Sequence, residues 1–344
     1  MAPLRVLHVA GSPTSDLYAE LSRVYAEDCL LATADETRYE FYTAYVTTER
    51  RWRFPESFGR AAVDAAPSVT LSEAVGLIAD LKIDVAVPQM FCVPGMTAYR
   101  ALLELLGLPY IGNRPEVMAA TAHKPTARAL VAAAGVRVPA GEVIGAGQTP
   151  RMPPPVVVKP ADADNSLGMS LVRARSQYPA AVAAALERSD TALVEAYVAP
   201  GREVRCGVLE RNGGLVCLPL EEYAVDPVNR PVRAAADKLG SGDGGSISLA
   251  AKKAGTSWIV DRADPITAET WAVARRCYTA LGCRHYGLFD FRIDPAGTVW
   301  FLEAGLYSSF ARMSVVTTMA QAAGIPLREL FADSVDLAIR QSRS

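Results

Sequence analysis

A mixed α/β architecture is what this sequence predicts, with a parallel sheet in the N-terminal third and hairpin-rich sheets after it. Three observations carry the prediction. Strand-like apolar runs alternate with helix-spaced segments over residues 5–112, the pattern of a parallel sheet covered on both faces. That pattern then breaks, because residues 150–155 hold four prolines in six positions, which no regular element survives. Beyond them, turns such as Asn212-Gly213-Gly214 and Asp294-Pro295-Ala296-Gly297 join strand-like runs, as antiparallel hairpins require.

In chain order, residues 5–10 (RVLHVA) read as the first strand, stopping at Gly11. Residues 16–34 have helical apolar spacing, and 39–46 (YEFYTAYV) carry the aromatic and β-branched residues of a strand. A helix over 71–81, with Ser72 near its start, leads to a buried strand at 84–89 (DVAVPQ). A further helix over 97–106 closes at Gly107, and 109–112 form a short strand. Ligands of parallel sheets bind beyond the carboxyl ends of the strands, which singles out residues 10–18 and 88–96. Next come a helix over 123–134 ended by Gly135, a strand at 156–160 (VVVKP), a polar turn at 162–168 and a strand at 193–197 (LVEAY). Residues 201–208 and 215–220 pair as a hairpin, and 226–255 are loop-like, glycine-rich and long enough for a lid. A helix over 267–281, a hairpin over 287–305 and helices over 314–323 and 327–341 complete the chain.

A length of 344 residues fits two or three domains, placed here at 1–113, 114–197 and 198–344. The 35 Lys and Arg nearly balance 37 Asp and Glu, for a net charge of −2. No global field therefore favours nucleic acid or an anionic membrane, and no apolar run approaches the ~20 residues of a membrane span. The six cysteines show neither CxxC pairs nor metal-finger spacing, and the N-terminus lacks a signal-peptide pattern. The expectation is a reduced cytoplasmic protein whose partners are small molecules.

Chemistry concentrates in a few places. Asp290 and Glu303 lie thirteen residues apart, one on each arm of the 287–305 hairpin. Carboxylates inside apolar strands need a cation or donors beside them. The pair suits Mg²⁺ or a salt bridge to Arg292 or Arg205. Lys159 ends a β-branched run, as an anion ligand or a snorkelling edge residue. Asn165, Ser166 and the backbone of 167–169 follow it, a turn able to aim N–H groups and a hydroxyl at phosphate oxygens. Lys124 opens a helix, where a cation is unfavourable unless it has an anion or solvent. The peptide groups after Glu195 can meet the edge of a purine, and Glu203 can accept from ribose hydroxyls. Each glutamate also reads as a structural or surface acid.

Together, and in order, these fragments resemble the ATP-grasp carboxylate–amine ligases, and among them the D-alanine–D-alanine ligase family. The fragments are GLPYIGN with the helix bearing Lys124, VVVKPADADNSLGMSLV, ALVEAYVAPGREV, and GLFDFRIDPAGTVWFLEAG followed by AAGIP. They cover about residues 109–325. The resemblance implies an ATP-grasp fold behind the N-terminal parallel sheet, with ATP and Mg²⁺ as cofactors. By it, Lys124 and Lys159 hold the α- and β-phosphates and the loop with Asn165 and Ser166 closes over them. Glu195, Ala196 and Val198 hold adenine, largely through backbone, and Glu203 the ribose. Lys252, with Lys253 as its alternative, reaches the transferred phosphate, and Asp290 and Glu303 hold the metal. Ser314 meets the carboxylate of the second amino acid. A substrate carboxylate becomes an acylphosphate, an amine attacks it and phosphate leaves, under lids at 162–168 and 226–255. The family also implies a homodimer.

Three departures bear on specificity. The family's Glu-x-Asn metal strand reads Glu303-Ala304-Gly305 here, with Tyr307 or Ser308 as substitutes for the amide. The family's oxyanion arginine, two residues before the metal aspartate, is Leu288. Arg292, on the same face of the strand as Asp290, is the candidate to replace it or to pair with Asp290; Lys252, Arg292 and Ser166 are thus the catalytic candidates. Residues 11–22 lack the family's glutamate pattern, leaving Asp16, Tyr18 and Glu20 toward the first substrate, and 87–96 replace its histidine-and-acid loop. The expected activity is ATP-dependent amide or peptide bond formation between amino-acid-like substrates other than two D-alanines. Intramolecular cyclisation is the alternative among enzymes, and nucleotide binding with little catalysis the alternative outside them.

Overall fold

The computed structural model describes residues 2–163, 167–199, 201–225 and 256–342. Three sheets organise it. The first holds β1 (Leu4–Gly11), β2 (Tyr39–Val46), β3 (Trp52–Arg53) and β4 (Val85–Pro88), in the order β3-β2-β1-β4. β1 runs parallel to β2 and β4, and β3 is antiparallel. Helices α1 (Asp16–Thr33), α2 (Arg60–Ala65), α3 (Leu71–Asp80), α4 (Val93–Met96) and α5 (Ala98–Leu105) connect its strands. α3 begins at Leu71, as expected, with Ser72 in its first turn and Thr70 as its N-cap. The Thr70 side chain caps Glu73 N while the Glu73 carboxylate returns to Thr70 N, a reciprocal cap worth about 1 kcal/mol. The expected strand at 109–112 contracts to one parallel bridge, Ala86 to Tyr110.

Helices α6 (Pro115–Ala122) and α7 (Lys124–Ala133) lead to the second sheet. It comprises β5 (Gly141–Gly145), β6 (Val156–Pro160), β7 (Ser170–Val172) and β8 (Thr191–Ala196), all antiparallel in the order β5-β8-β6-β7, with α8 (Tyr178–Leu186) against it. This unit has its own core, built on Val156, Val158, Tyr178 and Val194.

The third sheet is antiparallel and the largest. It contains β9 (Arg202–Arg211), β10 (Gly214–Cys217), β11 (Glu221–Tyr223), β12 (Ser257–Ile259), β13 (Tyr286–Ile293) and β14 (Val299–Ala304), ordered β12-β11-β9-β13-β14 with β10 also on β9. Asn212 and Gly213 both adopt positive φ, 52° and 76°, as the two-residue turn between β9 and β10 needs. At the other hairpin the Asp294 carboxylate accepts from Ala296 N, Thr298 N and Trp300 Nε1 at 2.9 to 3.0 Å. Helix α9 (Ile266–Ala280) covers one face. There Val204, Cys206, Phe289, Phe291 and Phe301 form the apolar core.

Helices α10 (Val315–Ala322) and α11 (Leu327–Ser342) return to the first sheet, and Phe331 and Val335 pack in one cluster with Val6, Val85, Tyr286 and Leu288. Polar contacts pin the same junction. Asn113 donates to Tyr286 O and Leu306 O and accepts from Arg284 N. Gly112 N donates to His285 Nδ1 at 2.8 Å, and His285 Nε2 meets Gln341 Oε1 at 3.0 Å. A Cβ at Gly112 would lie 2.6 Å from Tyr286 Oη, so only glycine allows this approach. Among the described residues no helix is long and apolar enough to cross a membrane, and all six cysteines are free thiols.

Two buried histidines make the fold acid-sensitive. Burial lowers His8 from 6.5 to about 3, and burial together with the Arg284 charge lowers His285 to about 3. The unfolded chain binds a proton at each near pH 6.5 while the native chain stays neutral to about 3, so stability holds above 6.5 and falls between those values. We expect a loss of about 1.4 kcal/mol per histidine per pH unit below 6.5, measured as the urea midpoint at pH 7.5 against pH 5. His285→Gln should flatten that dependence.

Candidate active site

A cleft opens between the second and third sheets. One wall carries Lys159 at the end of β6 and Glu195 at the end of β8; the other carries Glu203, Asp290, Arg292 and Glu303 from β9, β13 and β14, and Lys124 of α7 also lines it.

The third sheet places its charges by register. Asp290 faces Glu303 across β13–β14 and Arg205 across β13–β9, and Arg292 faces Glu203. The ladder shifts by one residue after Asp290, a bulge that leaves Leu302 without a direct partner and turns the end of β14. Arg205 Nε and Nη2 bind the two Asp290 oxygens at 2.5 and 2.9 Å. Arg292 Nη2 donates to Glu203 Oε2 at 2.6 Å and Nη1 to Val198 O at 3.3 Å. The cation that meets Asp290 is thus Arg205, on the flank away from Glu303. Arg292 shares the Asp290 face, as strand alternation requires, yet is held at the Val198 end of the cleft.

On the opposite wall Glu195 stands between two cations, with Lys159 Nζ 2.5 Å from one oxygen and Arg128 Nη1 3.0 Å from the other. The Arg128 contact is an ion pair without hydrogen-bond alignment, since Glu195 Oε1 has no hydrogen-bond partner. All three side chains are buried. Lys124 begins α7, and its ammonium donates to Ala163 O, while its own N–H donates to Ala161 O. Helix start and phosphate-type loop are therefore joined. Ala196 N donates to Ala140 O and Tyr197 N to Pro155 O, so both N–H groups are engaged within the fold.

The remaining sequence candidates lie elsewhere. Ser314 caps α10: its hydroxyl accepts from Thr317 N and donates to Ser309 O at 2.6 Å. Tyr18 is half-buried on α1, Asp16 is exposed in the first turn, and Glu20 is held by Arg23 and Arg60. Asn165, Ser166 and Lys252, with the 226–255 loop, lie outside the described residues. Sequence reasoning missed Arg128 altogether. Its position, four residues after Lys124 on one helix face, was the available signal. Gln89 was also missed: Ser309 Oγ donates to its Oε1 and its Nε2 donates to His8 Nδ1, both at 3.2 Å. It ties the carboxyl end of the first sheet to the loop after β14.

Asp290 and Glu303 supply hard oxygen donors on facing strands, the donor type that Mg²⁺ takes. Among the described residues no cluster of three or more metal-type ligands forms. A magnesium ion here would complete its shell with phosphate oxygens and water, which fits how that ion binds beside nucleotides.

Comparison with known proteins follows this geometry. A family model described as "D-ala D-ala ligase C-terminus" matches residues 148–336, more than half of the chain. A D-alanine–D-alanine ligase of Mycolicibacterium smegmatis is 34% identical over 250 residues, 70% of this chain and 64% of the relative. One from Gloeobacter violaceus is 31% identical over 245 residues, 69% of this chain and 76% of the relative.

The chain belongs to the D-alanine–D-alanine ligase family of ATP-grasp proteins.

Its alignment spans somewhat less than two thirds of the length of the mycobacterial relative. The fold is that of the family throughout. The D-alanine–D-alanine ligase of Coxiella burnetii superposes with a TM-score of 0.75 at 18% identity, covering 100% of this chain and 96% of that one. The VanG D-Ala:D-Ser ligase of Enterococcus faecalis gives 0.77 at 19%, covering 98% and 99%.

The Arg128–Glu195–Lys159 cluster generates a stability test. Removing its single anion leaves two buried cations face to face. We expect Glu195→Ala to cost about 3–5 kcal/mol in urea unfolding, and Glu195→Gln to cost less because the amide oxygen still accepts from Lys159.

Proposed function

We propose that the protein is an ATP-dependent ligase that activates a carboxylate as an acylphosphate and couples it to an amine. The observation that carries this reading is the convergence of Lys124, Lys159, Glu203, Asp290 and Glu303 on one cleft. Lysines there neutralise phosphate oxygens as point charges. Glu203, steadied by Arg292, faces the cleft where it can accept from ribose hydroxyls, and the backbone at Val198 meets the base. Asp290 and Glu303 would hold Mg²⁺, which when bound polarises the terminal phosphates and offsets their charge. Lys252 and Ser166 are proposed to act from the loops over the transferred phosphate. The chain's own work is to position the acid and amine and to keep water from the activated carboxyl.

The substrates are proposed to be small amino acids. The sequence relatives are named D-alanine–D-alanine ligases and give no support to excluding D-alanyl-D-alanine as the product, so D-alanine is the first acid and amine to test. The first-substrate region does favour a changed acid specificity: Asp16 is exposed and Glu20 is bound by two arginines, so neither offers an ammonium an unengaged buried carboxylate.

The test is ADP release with ATP, Mg²⁺ and a panel of D- and L-amino acids, products read by mass spectrometry. We expect release that depends on the amino acid; ADP at background throughout, with ATP still bound, would overturn the ligase reading. Lys159→Ala should weaken ATP binding. Glu303→Gln should lower turnover at least about 100-fold and raise the Mg²⁺ needed for half-saturation. A Cβ at Gly305 would meet nothing within 4 Å, so Gly305→Asn has room to add an amide oxygen and should lower that Mg²⁺ requirement.

A further inference from the structure

Arg128 meets the cleft wall without lining the cleft. Lys124, one turn earlier on α7, lines the cleft with Lys159 and Glu195, whereas Arg128 borders a separate hollow with Pro125, Gly141 and Leu193. Its guanidinium passes over Gly141, the residue paired with Glu195 across β5 and β8. A Cβ at Gly141 would lie 2.6 Å from Arg128 Nη1 and 2.9 Å from Val194 O, so a side chain there would close the approach. Arg128 Nη2 donates to Pro139 O, and Nη1 lies 3.0 Å from Glu195 Oε1. Lys159 Nζ holds the other Glu195 oxygen at 2.5 Å. The Arg128, Glu195 and Lys159 side chains are only 9%, 4% and 10% exposed. Yet Arg128 Nε and Glu195 Oε1, both buried, have no hydrogen-bond partner. The contact is an ion pair with a hydrogen bond still to be made.

A phosphate that reaches Lys159 finds its ammonium already engaged by a buried carboxylate. Two anions on one cation repel strongly where water is scarce. The phosphate therefore binds well only if Glu195 is neutralised from another side. We propose that Arg128 is that counterion: Lys159 turns from Glu195 to the phosphate, and Arg128 keeps the carboxylate by making the hydrogen bond it lacks. The Lys159–Glu195 bond is then a latch that phosphate opens, and Arg128 sets how easily it opens. This deepens the nucleotide reading of the cleft and rests on it. Arg128 acts through Glu195 and is a positioning residue. A guanidinium suits the task because its charge is permanent and its several donors serve Pro139 O and Glu195 together.

Comparison of ATP with adenosine separates phosphate binding from base binding. Dissociation constants of both are measured on the full chain with Mg²⁺, by competition against a fluorescent ATP analogue. We expect Arg128→Gln to weaken ATP about tenfold while adenosine changes less than about twofold, with Arg128→Lys recovering part of the loss. Glu195→Gln should act in the opposite sense, tightening ATP relative to adenosine by about fivefold, because the phosphate no longer competes with a carboxylate. A folded Arg128→Gln that loses ATP and adenosine alike, as a merely structural arginine would cause, overturns the inference, and so does one that loses neither. A Glu195→Gln protein whose ratio is unchanged or falls overturns it too, and decides the matter if Arg128→Gln does not fold. A wild type that binds ATP while its variants fail these expectations leaves the nucleotide reading standing. A wild type that binds no ATP overturns both.

Discussion

Two-residue alternation along β9 and β13, with the one-residue bulge at Leu302 on β14, is the constraint on which the cleft depends. Glu203 and Arg205, Asp290 and Arg292, and Glu303 all project from one face of the sheet. Val204, Cys206, Phe289, Phe291 and Phe301 fill the other. A slip of one residue would drive five charges into that core and bring the phenylalanines to the cleft, which no compensating contact could offset. The apolar core under α9 is thus what fixes the electrostatics above it. Facing pairs alternate in sign, Glu203 with Arg292 and Asp290 with Arg205, so the sheet tolerates this density of charge without like charges directly opposed on β9 and β13.

The second sheet solves the same difficulty differently. Its cations, Lys159 and Arg128, share one acid, Glu195, and the excess of positive charge lies at the wall where phosphate is proposed to bind. Buried pairs of this kind contribute little net stability, but they hold side chains in place before a ligand arrives, which is where preorganisation gains affinity. Every charged group described at the cleft is in this sense already engaged, and ligand binding there is an exchange of partners.

Much of this was legible in the sequence because the informative signals are local. The turn Asp294–Gly297 sets the hairpin, the hairpin sets Asp290 against Glu303, and the β-branched run before Lys159 marks a strand end. What escaped was set by distance or by weak pattern. Arg205 meets Asp290 across 85 positions, and no periodicity reveals which of two nearby arginines a folded sheet will choose; Arg292 was the candidate nearer in sequence. The β5 segment GEVIG is too short to stand out, and α8 is mostly alanine behind Tyr178-Pro179, with almost no polar face to betray its period. The strand expected at 109–112 shrank because Gly112 must turn away to let Tyr286 approach.

The joint at Asn113 and His285 has a mechanical meaning. Buried hydrogen bonds and the shared packing around Phe331 weld the first sheet to the third, and Gln89 with Ser309 adds a second weld. The β5–β8 unit has a separate core and meets α7 and the third sheet through the Arg128–Glu195 pair and the Arg292 bond to Val198 O. Units with few shared buried contacts part at the lowest free-energy cost. The small sheet with Lys159 is therefore the unit that parts most readily from the large one with its acids.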